Sequence, residues 1–280
     1  MTAVTILTPD GTYPGERTLA VEVPVAVEVN GIGYAVMMMT PADFAQFATG
    51  FMLTERLADL ATDIVDHEAI EVEAGWILRI TLAERCAARI GERVRHRTSD
   101  TGCGLCGIAS LGGLIRPAPP PPTVALDPRA IFAALAAIRD HQPLNAATGA
   151  VHAAALCNAA GAVVAAFEDV GRHNALDKLV GAIALQGLPA ATGFVLVTSR
   201  ISFEMVDKTL IAGTPMLVGI SAATTMAAEH ARASGLALVA LARADSALLL
   251  NPSRHGEELG APEHRPAFLQ ERHPALDRIG

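Results

Sequence analysis

Short stretches of alternating apolar and polar residues mark the first third of the chain. Residues Ala20 to Val29 alternate in this way, and Asn30-Gly31 is a favoured hairpin turn, so we predict paired strands within residues 17–39. Leu78, Ile80 and Leu82 alternate with polar neighbours and predict a further strand after Trp76. This alternation is typical of strands that bury one face and expose the other.

A helix is predicted between these strands. Phe44, Phe47 and Phe51 recur at helical spacing and would share one face. Thr40 is the expected N-cap, with Pro41 at the first helical position and Asp43 completing a capping box. Together with the strands, this helix predicts a small α+β domain over residues 1–95.

Strands and helices alternate in the larger second part of the chain, residues 124–250. The predicted elements are a helix at Ala130–Arg139, a hairpin of His152–Leu156 with Val163–Phe167, a helix marked by Leu176, Leu179, Val180 and Ile183, a strand at Phe194–Val197, a helix at Phe203–Ala212, a strand at Met216–Ile220, a helix at Thr224–Arg232 and a strand at Ala237–Ala240. Strands joined through helices of this length predict crossover units and a largely parallel sheet, which is an α/β class.

Polar residues follow four of these strands. They are the segment 168–174, the segment 198–202, Ser221 and Arg243. Ligands of open α/β sheets bind beyond the carboxyl ends of strands, and free N–H groups at helix starts attract phosphates. The pattern therefore predicts a cleft for a phosphorylated ligand, although Ser202, Ser221 and Asn174 would also serve as ordinary helix caps.

Composition narrows the class of protein. Of 280 residues, 51% are hydrophobic and 18% charged, which excludes a disordered chain. The net charge of −8 argues against a general binder of nucleic acid or of anionic membranes. We expect no secretory signal, no transmembrane helix and, with only four cysteines, no disulfide scaffold, so a cytoplasmic protein is the simplest interpretation.

A glycine-dotted loop and a proline-rich linker, residues 96–123, are predicted to separate the two domains, and residues 251–280 to form a loose tail. The loop contains Cys103-Gly-Leu-Cys106, for which three interpretations remain open. A zinc site would need two more ligands, and no second CxxC is present. A thioredoxin-type redox pair would be expected at a strand-to-helix turn. A sulfur carrier would hold a persulfide on a mobile arm, and the loop context suits this best.

Lysine is rare in the chain: Lys178 and Lys208 are its only two. This scarcity suggests that both positions require a compact ammonium, since Arg supplies positive charge elsewhere. The alternative for Lys208 is a solvated ion pair with Glu204, four residues before it. His173 lies in a dense polar segment with Arg172 and Asn174, where a functional network and a surface network are both open.

The chain resembles the formate dehydrogenase accessory sulfurtransferase (FdhD/NarQ) family. The resemblance rests on Glu168-Asp-Val-Gly-Arg-His-Asn-Ala-Leu-Asp-Lys178, Cys103-Gly-Leu-Cys-Gly107, Thr148-Gly-Ala-Val-His-Ala-Ala154, Arg200-Ile-Ser-Phe-Glu204 with Lys208, Gly213-Thr-Pro215, and Thr40-Pro with Gly50-Phe51 and Glu55. It covers residues 20 to 245. Arg56 stands where Gly is common in the family.

This resemblance implies a function and a site. Such proteins accept persulfide sulfur from a cysteine desulfurase and pass it to a bis(molybdopterin guanine dinucleotide) molybdenum cofactor destined for formate dehydrogenase. A non-catalytic cofactor-binding chaperone is the alternative. Members are cytoplasmic and typically dimeric, and their larger domain is a cytidine-deaminase-like three-layer α/β/α fold. By position, Cys103 would carry the persulfide and Cys106 would be an accessory thiol. The cofactor-binding residues would be Leu241, Ala242, Arg243, Ala244, Asp245, Ser246, Arg200, Ser202, Lys208, Arg172, His173 and Lys178, with no structural metal.

Overall fold

A computed structural model of the chain describes residues 1–94, 118–123 and 127–252. In the first part of the chain, two hairpins precede a helix, and a third strand pair and a short helix follow it. The elements are β1 (Thr2–Thr8), β2 (Gly11–Arg17), β3 (Val23–Val29), β4 (Ile32–Met39), α1 (Phe44–Thr54), β5 (Ile64–Val72), β6 (Gly75–Leu82) and α2 (Ala87–Val94). The predicted linker, residues 96–123, lies outside the described residues except for 118–123.

Strands β3 to β6 form a four-stranded sheet in the order β4-β3-β6-β5. The predicted hairpin is confirmed: Asn30 and Gly31 both have positive φ, as the tight turn between β3 and β4 requires. Val25, Val27 and Val29 are buried on one face of this sheet, together with the α1 residues Phe47 and Met52. The alternation of apolar and polar residues in the sequence therefore matches the alternation of buried and more exposed residues in the sheet.

The second sheet belongs to the larger part of the chain. Its elements are α3 (Pro128–Ala137), α4 (Pro143–Thr148), β7 (His152–Cys157), β8 (Val163–Asp169), α5 (Arg172–Gln186), β9 (Phe194–Val197), α6 (Phe203–Ala212), β10 (Met216–Gly219), α7 (Thr225–Ser234), β11 (Ala237–Ala240) and β12 (Leu248–Asn251). The strand order is β12-β11-β10-β9-β7-β8. Strands β9, β10 and β11 are mutually parallel, whereas β7 runs antiparallel to both β8 and β9. The carboxyl ends of β8, β9, β10 and β11 consequently share one edge.

Helices cover both faces of this sheet, so the α/β prediction is confirmed. Ala130, Ile131 and Ala134 of α3 pack on one face, in a cluster that includes Phe194 and Leu196. Helices α5, α6 and α7 pack on the other face, where Leu176, Met205 and Ala231 join the main core. The result is a three-layer arrangement within a mixed α+β chain.

The smaller sheet is joined to the larger one through a close helix crossing. Helix α1 lies against α5 where Gly50 meets Gly181, and a Cβ added at Gly50 would lie 1.7 Å from the carbonyl oxygen of Asp177. A Cβ at Gly181 would lie 1.8 Å from the carbonyl oxygen of Gln46. The two backbones are therefore in direct contact, and one cluster of buried residues runs through both parts of the molecule.

The start of α1 was predicted wrongly. Its N-cap is Asp43, which has a left-handed φ of 57° and makes no side-chain capping bond. Thr40 does not cap the helix, because its hydroxyl accepts a hydrogen bond from the N–H of Val170 instead. The Thr40 hydroxyl, which the local sequence pattern assigned to a helix cap, is therefore used in a tertiary hydrogen bond.

Several elements have no counterpart in the predictions, among them β5, α2, α4, β12 and the hairpin of β1 and β2. The hairpin of β1 and β2 is largely exposed, and β12 pairs antiparallel with β11 at the edge of the larger sheet. Strand β12 includes Asn251, whose amide donates to the carbonyls of Ala231 and Leu236, so the predicted tail begins with an ordered, buried residue. The rest of that tail, residues 253–280, lies outside the described residues.

Candidate functional site

The predicted polar junctions do meet at one edge of the larger sheet. Helix α5 begins at Arg172 after the end of β8, and α6 begins at Phe203 after the end of β9. The N-cap residues Gly171 and Ser202 make no side-chain capping bond, and the hydroxyl of Ser202 is buried without a hydrogen-bond partner among the described residues. Two helix N-termini with free N–H groups therefore open on the same edge.

Basic side chains surround the start of β7 at this edge. The basic cluster consists of His152, Arg172, His173 and Arg200. Burial lowers the pKa of His152, and the positive charges of Arg172, Arg200 and His173 lower it further. The Nε atom of Arg172 is buried without a hydrogen-bond partner in the described part of the chain, whereas Arg200 is exposed. The guanidinium groups of Arg172 and Arg200 in this cluster favour an anionic ligand.

Glu168 holds the segment that leads to His152. Its two carboxylate oxygens accept from the N–H groups of Leu144 and Asn145, each at 2.8 Å, at the start of α4. Helix α4 ends at Gly149, which has a φ of 69°, and β7 begins three residues later at His152. Glu168 therefore fixes the path of the Thr148–Ala154 motif by capping the helix that leads into it.

Lys178 is fully buried and binds within the protein. Its ammonium lies 2.8 Å from Asp169 and donates to the carbonyls of Thr40 and Glu168, each at 3.3 Å. Asp169 is itself fully buried. The sequence argument that this position requires a compact ammonium fits this placement, but the partner is a carboxylate of the fold.

Lys208 forms a second buried pair. Its ammonium lies 2.7 and 2.8 Å from the two carboxylate oxygens of Asp177 and 2.9 Å from the hydroxyl of Thr54. Burial alone would lower the pKa of Lys208, but the charge of Asp177 outweighs it and raises that pKa; burial in turn raises the pKa of Asp177. With both oxygens in contact, the geometry is that of an ion pair.

The alternative of a solvated Glu204–Lys208 pair is wrong. Glu204 instead lies 3.0 Å from Nε2 of His173, and both of these atoms are sealed from solvent. Lys208 is turned toward α5 and α1, where it also lies 5.8 Å from the ring centroid of Phe51.

The late stretch Leu241–Ser246 borders a cavity of about 510 Å³. The guanidinium of Arg243 donates to the carbonyl of Ile220, and the backbone N–H of Arg243 donates to the carbonyl of Ser246 at 2.7 Å. The cavity is mostly apolar, with Arg139, Gln142 and Arg243 as its polar side chains; it is lined by Phe132, Leu135, Ala136, Ile138, Arg139, Gln142, Ile220, Ala242, Arg243 and Ala244. Its volume is that of an ordinary small-ligand site.

The predicted site residues fall into four groups. Arg172, His173, Arg200 and Ser202 lie together at the ends of β8 and β9, and Ala242, Arg243 and Ala244 line the cavity near the ends of β10 and β11. Leu241, Asp245 and Ser246 belong to the same stretch but do not line it. Lys178 and Lys208 are buried in ion pairs, and their binding of a cofactor stays a prediction. Cys103 and Cys106 lie outside the described residues.

Three residues of the site escaped the sequence argument. Arg139 and Gln142 follow α3, on the face of the sheet that the strand-end rule does not address. His152 begins a strand, and it reaches the edge because β7 runs antiparallel to its neighbours. The signal available for His152 was its place in the Thr148–Ala154 motif.

The two cysteines in the described part of the chain are buried and free. Burial raises the pKa of Cys157 to about 12. No group of three or more His, Cys, Asp or Glu side chains is placed to hold a metal ion within residues 1–94, 118–123 and 127–252. Over the same ranges, no helix combines the length and apolar character needed to span a membrane.

Comparison with known proteins decides the family. The model of the FdhD/NarQ family matches residues 20–255. The chain belongs to the FdhD/NarQ family. A protein named sulfur carrier protein FdhD from Variovorax paradoxus is 46% identical over 82% of this chain and 84% of its own length. One of the same name from Agrobacterium fabrum is 44% identical over 82% of this chain and 86% of its own length.

A solved structure supports the fold. A candidate formate dehydrogenase accessory protein from Desulfotalea psychrophila superposes with a TM-score of 0.70, covering 91% of this chain and 97% of that one, at 23% identity. The FdhD/NarQ resemblance inferred from the motifs is thus confirmed, and the mixed α+β architecture is shared with this structure.

Proposed function

We propose that the chain is a sulfur carrier that serves a formate dehydrogenase. The observation that carries the proposal is its 46% identity, over most of its length, to a relative named sulfur carrier protein FdhD. In detail, the proposal is that Cys103 accepts persulfide sulfur from a cysteine desulfurase. The Cys106 thiolate then displaces the outer sulfur as sulfide, which binds the molybdenum of the cargo, a bis(molybdopterin guanine dinucleotide) cofactor. This step leaves Cys103 and Cys106 as a disulfide.

The charge of the site edge supports a cargo that carries phosphates. The basic cluster and the two uncapped helix N-termini supply positive charge and free N–H donors at one edge of a protein whose net charge is −8. Local donors can therefore hold an anion that the overall field would repel. The cavity beside Arg243 offers apolar walls and a few polar groups, a combination that suits a nucleotide base.

The chemistry of the four cysteines supports Cys103 and Cys106 as the working pair. A thiolate is the nucleophile in sulfur transfer, and burial keeps Cys157 protonated by raising its pKa to about 12. Cys86 is also buried, and burial is the largest cause of its raised pKa. Cys103 and Cys106, flanked by three glycines, match the family motif. We further propose a cytoplasmic location and a homodimer, as the resemblance implies.

Intact-mass measurement tests the carrier step. After incubation with a cysteine desulfurase and cysteine, the chain is expected to gain about 32 Da, the mass of one sulfur. Cys103→Ala is expected to abolish the gain, and Cys157→Ala, a matched control at a buried thiol, is expected to keep it. A gain that survives in Cys103→Ala would refute the assignment. Active formate dehydrogenase produced with Cys103→Ala would favour a cofactor chaperone instead.

Calorimetry with GDP tests the cargo site. GDP stands for the nucleotide end of the cofactor, and Arg200→Ala is expected to weaken its binding about tenfold through loss of a charge-assisted contact. Arg129→Ala is the control, since Arg129 lies at the far end of α3 from the cavity and pairs with Asp127. Equal affinities in the wild type and Arg200→Ala would remove Arg200 from the site.

A further inference from the structure

The turn between β8 and α5 decides where Arg172 lies. Only Val170 and Gly171 separate the last residue of β8, Asp169, from Arg172, the first residue of α5. Arg172 contributes to the positive charge at His152, so any change in this turn would move Arg172 relative to the rest of the basic cluster.

Asp169 holds the turn from inside. One carboxylate oxygen accepts from the N–H of Gly171 at 2.8 Å and from the amide of Asn174 at 3.0 Å. The other accepts from the N–H of Thr40 at 3.2 Å and lies 2.8 Å from the ammonium of Lys178. Since this carboxylate is 0% exposed, its negative charge requires a buried counter-ion.

Lys178 meets that requirement and ties the turn to the smaller sheet. Its ammonium also donates to the carbonyls of Thr40 and Glu168, and its side chain is 0% exposed. The hydroxyl of Thr40 accepts from the N–H of Val170 at 3.2 Å, which adds a second bond to the same turn. A guanidinium is larger and planar, so it cannot replace the ammonium at this point without moving its neighbours.

We propose that Lys178 is a positioning residue, which acts through Asp169 and Thr40 to hold the β8–α5 turn and so places Arg172 in the basic cluster. This inference deepens the proposed function, because it takes the basic cluster as the place where phosphates of the cargo bind. It differs from the prediction that Lys178 contacts the cofactor itself.

A second buried network supplies a matched control. The hydroxyl of Thr54 donates to Asp177 at 2.7 Å and accepts from Lys208, in a second buried pair of a carboxylate and an ammonium, whereas the hydroxyl of Thr40 accepts from the N–H of Val170. Thr40 and Thr54 are 8% and 5% exposed, so their hydroxyls are comparably buried. Within residues 1–94, 118–123 and 127–252, no hydrogen bond joins Thr54 to the β8–α5 turn. Thr40→Val and Thr54→Val therefore each remove one buried hydroxyl, and only the hydroxyl of Thr40 is bonded to the β8–α5 turn.

Two measurements on the full chain test the proposal. The pKa of His152 is followed by NMR, with the signal assigned from a His152→Gln sample, and the affinity for inorganic pyrophosphate is measured by calorimetry. In Lys178→Arg, which preserves charge, the pKa of His152 is expected to rise toward its ordinary value and pyrophosphate affinity to fall about tenfold. Thr40→Val is expected to shift both in the same direction by less, and Thr54→Val to change neither.

The outcomes separate this proposal from the proposed function. Wild-type values in both Lys178→Arg and Thr40→Val, or equal shifts in Thr54→Val, would overturn the positioning role. If Lys178→Arg does not fold, the comparison of Thr40→Val with Thr54→Val tests the positioning role instead. Absence of pyrophosphate binding in the wild type would refute the basic cluster as a phosphate site, while the titration of His152 would still decide how Arg172 is placed.

Discussion

Replacement of Gly50 by alanine tests the contact between α1 and α5. The added Cβ would lie 1.7 Å from the carbonyl oxygen of Asp177 and 2.7 Å from the backbone N of Gly181, and both of these are main-chain atoms that no rotamer change can move. The first distance must grow to at least 3.0 Å, so the two helices must separate. Separation would also stretch the bonds that Asp177 makes with Thr54 and Lys208.

The magnitude follows from two opposing effects. Overpacking of a well-packed core costs about 3 kcal/mol at the upper end of its usual range. Alanine has a better helix propensity than glycine by about 1 kcal/mol, which offsets part of that cost. We expect Gly50→Ala to lower the free energy of unfolding by about 2 kcal/mol, equivalent to a fall in Tm of roughly 4–8 °C for a chain of this size.

Urea unfolding followed by fluorescence measures this change. The single tryptophan, Trp76, lies on β6 and packs against Phe44 of α1 with ring centroids 4.9 Å apart, so its emission reports on the packing of α1 and on unfolding. A lower midpoint with an unchanged m-value is the expected result. Gly91→Ala is the control: Gly91 lies in α2 with open space at the Cβ position, and this variant is expected to gain stability. A Gly50→Ala protein as stable as the wild type would refute the close crossing.

Three further predictions concern single side chains. Cys157 should resist alkylation in the native protein at pH 8, by peptide mass mapping, because burial raises its pKa to about 12. Burial alone would raise the pKa of Asp207, but hydrogen bonds and charges from His230 and Arg56 outweigh burial and lower that pKa. The stability that ionised Asp207 contributes is therefore present above the ordinary pKa of aspartate and is lost as pH falls through the lowered pKa. Asp207→Asn should therefore lower the urea midpoint at pH 7, and its gap from the wild type should narrow as pH falls below the ordinary pKa of aspartate. A gap that stays the same at low pH would contradict this. Arg56 has a φ of 60°, so Arg56→Gly should be more stable than Arg56→Ala by about 1 kcal/mol in urea melts, although both lose the 2.8 Å ion pair with Asp207. A more stable Ala variant would exclude this backbone strain.

Local patterns predicted the elements whose residues contact near neighbours. The β3–β4 hairpin depends on the turn preference of Asn30-Gly31, and α6 and β9 were predicted with the bounds observed, Phe203–Ala212 and Phe194–Val197. The four polar junctions met at one edge because parallel strands place their carboxyl ends together. These features follow from periodicity and from the geometry of crossover connections.

Features that depend on distant partners were not predicted. Thr40 matched the pattern of a helix cap. In the structure its N–H donates to Asp169 and its hydroxyl accepts from the N–H of Val170, and both partners are about 130 positions away. Helix α5 showed one apolar face in the sequence, yet Asn174 to Ala182 are all buried, because α1 covers the face that the pattern left polar. The rarity of lysine drew attention to two positions that the structure places in buried ion pairs, but no local signal distinguishes an interior counter-ion from a ligand contact.

Because Lys178 and Lys208 are buried, their chemical modification can report on local opening of the protein. In the folded protein neither ε-amine is available to an acylating reagent, since the side chains of Lys178 and Lys208 are 0% and 10% exposed. Acylation at either position therefore requires the surrounding helices to open first. The rate of lysine acylation, read peptide by peptide, would time the opening of each buried pair without any label being introduced.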